Sequence, residues 1–167
     1  ACQTLFPNHA DGLELLDWLR ERIWPYEAAH DEDSLRASAD LTFAELILSG
    51  ATAALDMGTV RHYDAVFESA RDCGFRLTGG KAMMDTGQAL PAGLRDTTEA
   101  SLSESLALLE RWHGQEGGRL RYAWAARFAR WAGDGMPVWA YFNNDAAAHA
   151  IRDADRLRSI VARRQGG

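Results

Sequence analysis

Two short runs constrain the fold of this chain more than any other feature: the apolar ATAALDMG at 51–58, and FRLTGGKAMMD at 75–85, read as a strand with a glycine interruption. Each has the length of a strand and each follows a helical pattern closed by a glycine. ATAALDMG lacks polar alternation, which is the pattern of a parallel strand buried on both faces. Between the two runs lies VRHYDAVFESARDCG, read as a helix capped by Gly74. Strand, helix and strand in that order form a parallel α/β unit with a right-handed crossover.

The same alternation extends in both directions. Upstream, LELLDWLRERIW places Leu13, Leu16, Leu19 and Ile23 on one helical face, and Pro25 is expected to end that helix. From Asp31 to Ser49 a second helix is expected, with acidic residues at its start and Gly50 as its C-terminal cap. Its apolar residues are Leu35, Leu41, Ala44, Leu46, Ile47 and Leu48. Downstream, TGQALPAGLRDTT at 86–98 reads as a loop, EASLSESLALLERWHG as a helix, and RLRYA as a further strand. From Trp124 onward, WAARFARWAGDG reads as helix, MPVWAYFNND as strand and AAAHAIRDADRLRSIVARR as a closing helix. The resulting fold class is α/β with parallel strands in a single domain, 1–167. A closed barrel of this class needs eight strands and roughly 250 residues. Four strands make part of a (β/α) barrel, either a half-barrel or a small open sheet.

Composition narrows the function classes. The 167 residues carry 18 Lys and Arg against 24 Asp and Glu, a net charge of −6 that argues against a phosphate-binding surface and hence against nucleic acid. No apolar run approaches the roughly 20 residues that span a bilayer, and the start lacks the basic and apolar regions of a signal peptide. A cytoplasmic protein without membrane contact is the expectation. Cys2 and Cys73 have neither metal-ligand spacing nor the density of a disulfide framework, and read as ordinary thiols.

Four motifs in order, QTLF at 3–6, DWL with PYE at 17–27, AELILSGATAALDM at 44–57 and GKAMMD at 80–85, resemble the early part of a metal-dependent amidohydrolase barrel. The likeness is to the deaminase and chlorohydrolase subgroup, and it covers residues 1 to about 123. It implies a barrel enzyme whose divalent metal activates water against a purine, triazine or related ring carbon, since the ion lowers the pKa of its bound water. It also implies that Gln3 and Glu27 face the substrate. The amide of Gln3 offers a donor and an acceptor, and the carboxylate of Glu27 accepts from hydroxyl or amino groups. The alternative for this pair is that Glu27 caps the following helix and Gln3 is a surface group.

The chain begins at Ala1 rather than Met, as expected of processing, engineering or a fragment. In the family an H-x-H metal-binding pair lies directly upstream of the stretch that begins here. Downstream the sequence departs from the family pattern near Tyr122 to Trp124, with no HxxE pair or later ligand strand. There WAARFARWAGDGMPVWAYFNNDAAAHAIRDADRLRSIV resembles the end of a second barrel family, the bacterial domain of unknown function 72, with VWAYFNNDAAAHA as the specific part. The resemblances imply a chimera, with 1–123 amidohydrolase-like and 124–167 from the second family.

Five histidines, His9, His30, His62, His113 and His149, show no helix or strand chelate spacing and read as solvated or capping groups. Asn143, Asn144 and Asp145 end a strand where α/β sites lie, but Asn and Asp are also the usual caps of a helix such as the one expected at Ala146. Trp18 reads as core, with a sheltering role in a pocket as the alternative. Lys81 follows two glycines without the spacing of a phosphate-binding loop and receives no role. No metal ligand is assigned, and no catalytic residue. The expected function is a catalytically silent barrel fragment. The alternative is a deaminating or dechlorinating hydrolase that needs zinc or iron, with ligands supplied by another chain or segment. A third reading is a module binding a small-molecule ligand through the FNND end. An incomplete barrel would expose apolar strand faces such as that of ATAALDM, so self-association is also expected.

Overall fold

The computed structural model describes residues 1–5, 12–85 and 90–123. The chain divides after Tyr122 into two units, Ala1–Tyr122 and Ala123–Gly167, and the first holds nearly all the described residues. The expected strand and helices beyond Trp124, with Asn143, Asn144, Asp145 and His149, lie outside the described residues, as does His9.

The first helical stretch is longer than its sequence pattern. Helix α1 (Leu15–Trp18) runs into a π-helical turn, Leu19–Ile23, and then into α2 (Trp24–Ala29). Pro25 therefore begins a helical segment rather than ending one. The reason is local: the Trp24 N–H reaches back five residues to the Leu19 carbonyl. Pro25 then falls in the first turn of α2, where a missing N–H costs nothing. Of the expected apolar face, Ile23 is buried while Leu13 and Leu16 are exposed.

Helix α3 (Glu32–Leu48) follows its sequence signals closely. Asp31 caps it, accepting from the Ser34 N–H at 2.8 Å while the Ser34 hydroxyl accepts from the Asp31 N–H at 3.0 Å. Ser49 ends it, and Gly50 takes φ +85°, a left-handed conformation that favours glycine. Its buried row is Leu35, Ser38, Ala39 and Phe43, whereas Leu41, Ile47 and Leu48 face outward.

Strands β1 (Ala53–Asp56), β2 (Arg76–Gly79) and β3 (Leu120–Tyr122) form a parallel sheet in the order β1-β2-β3. Helix α4 (Tyr63–Asp72) links the first two and α5 (Thr98–Trp112) the last two. Ala54, Leu77 and Leu120 stand in register, as do Asp56, Gly79 and Tyr122. These residues look toward α4, because Asp56 meets the Tyr63 hydroxyl and Tyr122 stacks on Phe67 at 6.1 Å. Phe67 also stacks on Trp112 of α5 at 5.4 Å and meets Tyr63 edge-on at 5.3 Å. This aromatic block, with Leu77, Leu108 and Leu120 buried beside it, is the core between sheet and helices.

The other face of the sheet is different. Leu55, Thr78 and Arg121 share it, and Leu55 is 77% exposed, as Met57 just beyond it is 91% exposed. ATAALDMG is thus not buried on both faces. It is the edge strand of the described sheet, and it packs one face only.

Candidate functional site

The site is assembled at the start of the chain against α2, α3 and the end of β1. Glu27 lies on the inner side of α2 and is buried. Its Oε1 accepts from the Cys2 thiol at 3.1 Å and from the Gln3 side-chain amide at 3.2 Å. The two residues that the resemblance placed toward a substrate therefore meet each other, with Gln3 exposed beside a buried carboxylate. Glu27 does not cap the following helix. That position belongs to Asp31, so the capping alternative is corrected. Burial, and then the neighbouring Glu27 carboxylate, pushes the Cys2 thiol well above its ordinary range and keeps it protonated.

On the other side of this cluster, the backbone nitrogen of Ala1 lies 2.7 Å from Asp56, and the Tyr63 hydroxyl donates to the second oxygen of Asp56 at 2.7 Å. Burial and then the Asp56 charge push the Tyr63 phenol upward. A single acidic side chain thus ties the first residue, the C-terminal end of β1 and the start of α4 together. Strand ends of that kind are where parallel α/β folds place their chemistry.

Lys81, left without a role by the sequence, is buried just past β2. Its ammonium pairs with Asp96 at 3.1 Å and with Glu104, and its backbone N–H donates to the Tyr122 hydroxyl at 3.2 Å. Burial opposes ionisation of Asp96. The Ser101 hydroxyl and Lys81, with Arg61 further off, outweigh it and hold the carboxyl below the ordinary range. This is a structural clamp between the loop after β2 and α5. The signal for it was a lysine in an otherwise apolar run, GGKAMM, followed by Asp96 at the start of a helix.

Of the histidines, His62 is the N-cap residue of α4 and His113 the C-cap residue of α5, where its Nδ1 accepts from the Tyr122 N–H at 3.2 Å. His30 stands between α2 and α3 and contacts Cys2 and Ser34. Trp18 is half-buried on α1. Among the described residues no group of three or more His, Cys, Asp or Glu is placed to hold a metal ion. These residues therefore do not fit a catalytic divalent ion by themselves. No helix among them is long and apolar enough to cross a membrane.

A sequential parallel sheet with helical crossovers and polar side chains at its strand ends belongs to the parallel (β/α) class of folds. The amidohydrolase family model matches residues 1–137, and the chain belongs to the amidohydrolase family. Guanine deaminase of Escherichia coli (strain K12) is 39% identical over 123 residues, covering 72% of this chain and 27% of that protein. A 5-methylthioadenosine/S-adenosylhomocysteine deaminase of Moorella thermoacetica is 31% identical over 120 residues, covering 72% of this chain and 26% of that protein. The chain thus spans about a quarter of the length of these relatives. Among solved structures, E. coli guanine deaminase aligns with a TM-score of 0.58 at 39% identity, over 65% of this chain and 25% of that one. Atrazine chlorohydrolase from Arthrobacter aurescens TC1 complexed with zinc aligns at 0.59 with 21% identity, over 74% and 34%, a likeness of fold alone. The similarity to the second barrel family, expected for 124–167, falls on residues outside the description, and the family match runs past Tyr122 to residue 137.

Proposed function

We propose that this chain carries the early barrel segment of a guanine-deaminase-like amidohydrolase and that, taken alone, it is catalytically silent. The observation that carries the reading is the pairing of Gln3 with the buried Glu27 in a chain 39% identical to guanine deaminase, where no described group converges on a metal ion. Gln3 presents an amide with a donor and an acceptor, suited to the edge of a purine ring, and Glu27 fixes its orientation. What these residues supply is recognition. Activation of water by a divalent ion belongs to ligands that the described residues do not provide.

The test is zinc analysis of the purified chain followed by an assay of ammonia release from guanine, with and without added zinc. Zinc well below one equivalent and no ammonia are the expected results. Zinc-stimulated ammonia release by the chain alone would overturn silence. It would instate the second reading, a deaminating or dechlorinating hydrolase with ligands from a second copy or from residues outside the description. That reading draws on the open sheet face bearing Leu55, where further barrel elements belong.

A further inference from the structure

His30, Ser34, Ser38 and Thr42 stand four residues apart, a spacing that stacks side chains in one row along a helix. His30 lies just before α3 and the other three lie on it. A polar row on the inner side of a helix needs partners, and residues 1–4 supply them to His30, Ser38 and Thr42, while Ser34 bonds Asp31 and Thr42 also donates to the Ser38 carbonyl at 2.8 Å. The Cys2 carbonyl accepts from His30 Nε2 at 2.9 Å. The Ala1 carbonyl accepts from the Ser38 hydroxyl at 2.7 Å and lies 3.3 Å from the Thr42 hydroxyl, which also meets the Thr4 hydroxyl. Ser34 completes the row, its hydroxyl 3.1 Å from His30 Nδ1. Because a carbonyl can only accept, Nε2 carries a proton toward Cys2, while the Ser34 hydroxyl beside Nδ1 directs its own proton to Asp31 Oδ1 at 2.6 Å.

These contacts bracket one residue. The carbonyls of Ala1 and Cys2 are held before Gln3 and the hydroxyl of Thr4 after it, while the Gln3 amide extends to Glu27 at 3.2 Å. Ser38 is fully buried, so its hydroxyl has no solvent alternative to the Ala1 carbonyl. We propose that the row from His30 to Thr42 is a positioning device that fixes the backbone of residues 1–4 and so sets the Gln3 amide against Glu27. Its functional sense rests on the reading of Gln3 and Glu27 as the pair facing a purine ring edge. His30, Ser38 and Thr42 are positioning residues and do not touch the ring themselves.

The two cysteines provide the test. Cys2 is buried within the positioned segment and Cys73 is exposed, so labelling by a thiol-disulfide reagent reports opening of the segment against an internal reference. In His30→Phe and in Ser38→Ala, labelling of Cys2 relative to Cys73 is expected to rise about five- to tenfold, the scale of one lost hydrogen bond acting on local opening. His30→Gln, which keeps an N–H at the place of Nε2, is expected to return labelling close to the parent value. Val60→Ala, a core truncation away from the row, supplies a control of lowered global stability. Saturable guanine binding by equilibrium dialysis is the second readout, expected to weaken in His30→Phe by the same factor as in Gln3→Ala and to recover in His30→Gln. Unchanged Cys2 labelling in both row variants overturns the proposal. So does a response matched by Val60→Ala at equal unfolding midpoint, or a failure of His30→Gln to rescue. If the labelling pattern holds and the parent chain does not bind guanine, the positioning row stands and the ring reading falls.

Discussion

The ammonium of Lys81 has no exposed surface, and the two carboxylates around it decide what it contributes. A buried ion pair is weak evidence of net stability, but removing one partner strands the other. Lys81→Met is therefore expected to destabilise the chain by about 3–5 kcal/mol, whereas Lys81→Met combined with Asp96→Leu recovers part of the loss. Asp96 also faces Ser101 and Arg61, and its folded pKa is lowered. A lowered carboxylate stabilises the fold above its unfolded pKa, about 3.9, and the contribution is lost as pH falls through the folded value. Urea unfolding from neutral pH downward should show a constant gap between parent and Lys81→Met above about pH 4 that narrows below it. An unchanged gap at the acid end would mean that Asp96 is not the group the lysine serves. The pairing of Gln3 with Glu27 was approached in the sequence only through family likeness, since a separation of 24 positions gives no periodic signal that they meet.

At the level of elements, legibility followed how local each cause is. Helix α3 was read almost to its ends because its start and stop signals, Asp31 and Gly50, act within one turn. Pro25 misled because its effect depends on whether the preceding turn widens, as it does at Leu19–Ile23, where the Trp24 N–H bonds the Leu19 carbonyl. The burial of β1 was misread for a related reason: an unalternating apolar strand states that both faces can be buried, not that both are. Helix α5 was expected from Glu99, one residue after its observed start, since its cap is Thr97, whose hydroxyl accepts from the Ala100 N–H at 3.1 Å. Thr97→Ala should cost about 1 kcal/mol and Thr97→Ser very little, as read from shifts in thermal midpoint. Equal losses in both would place the contribution in the methyl group instead of the cap.

Taken as a whole, the described unit has one face finished and one face open. The finished face carries Leu77, Leu120 and Tyr122 against α4 and α5. The open face presents Leu55 at 77% exposure, followed by Met57 at 91%, and Leu48 at the end of α3 stands 87% exposed. Parallel sheets of this class are ordinarily covered on both faces, because their side chains are apolar on both. At about 25 cal/mol per Å², covering even 200 Å² of such surface is worth on the order of 5 kcal/mol before the entropy of association is charged against it. Self-association is therefore the expected state at micromolar concentration, with light scattering reporting a mass above the 18.4 kDa of one chain. Leu55→Lys with Met57→Lys should return the mass to that of one chain and leave an unfolding midpoint that no longer rises with protein concentration, since neither side chain is packed within the chain. A parent chain that stays at single mass with one cooperative transition would show that its apolar strand face needs no second copy to remain in solution.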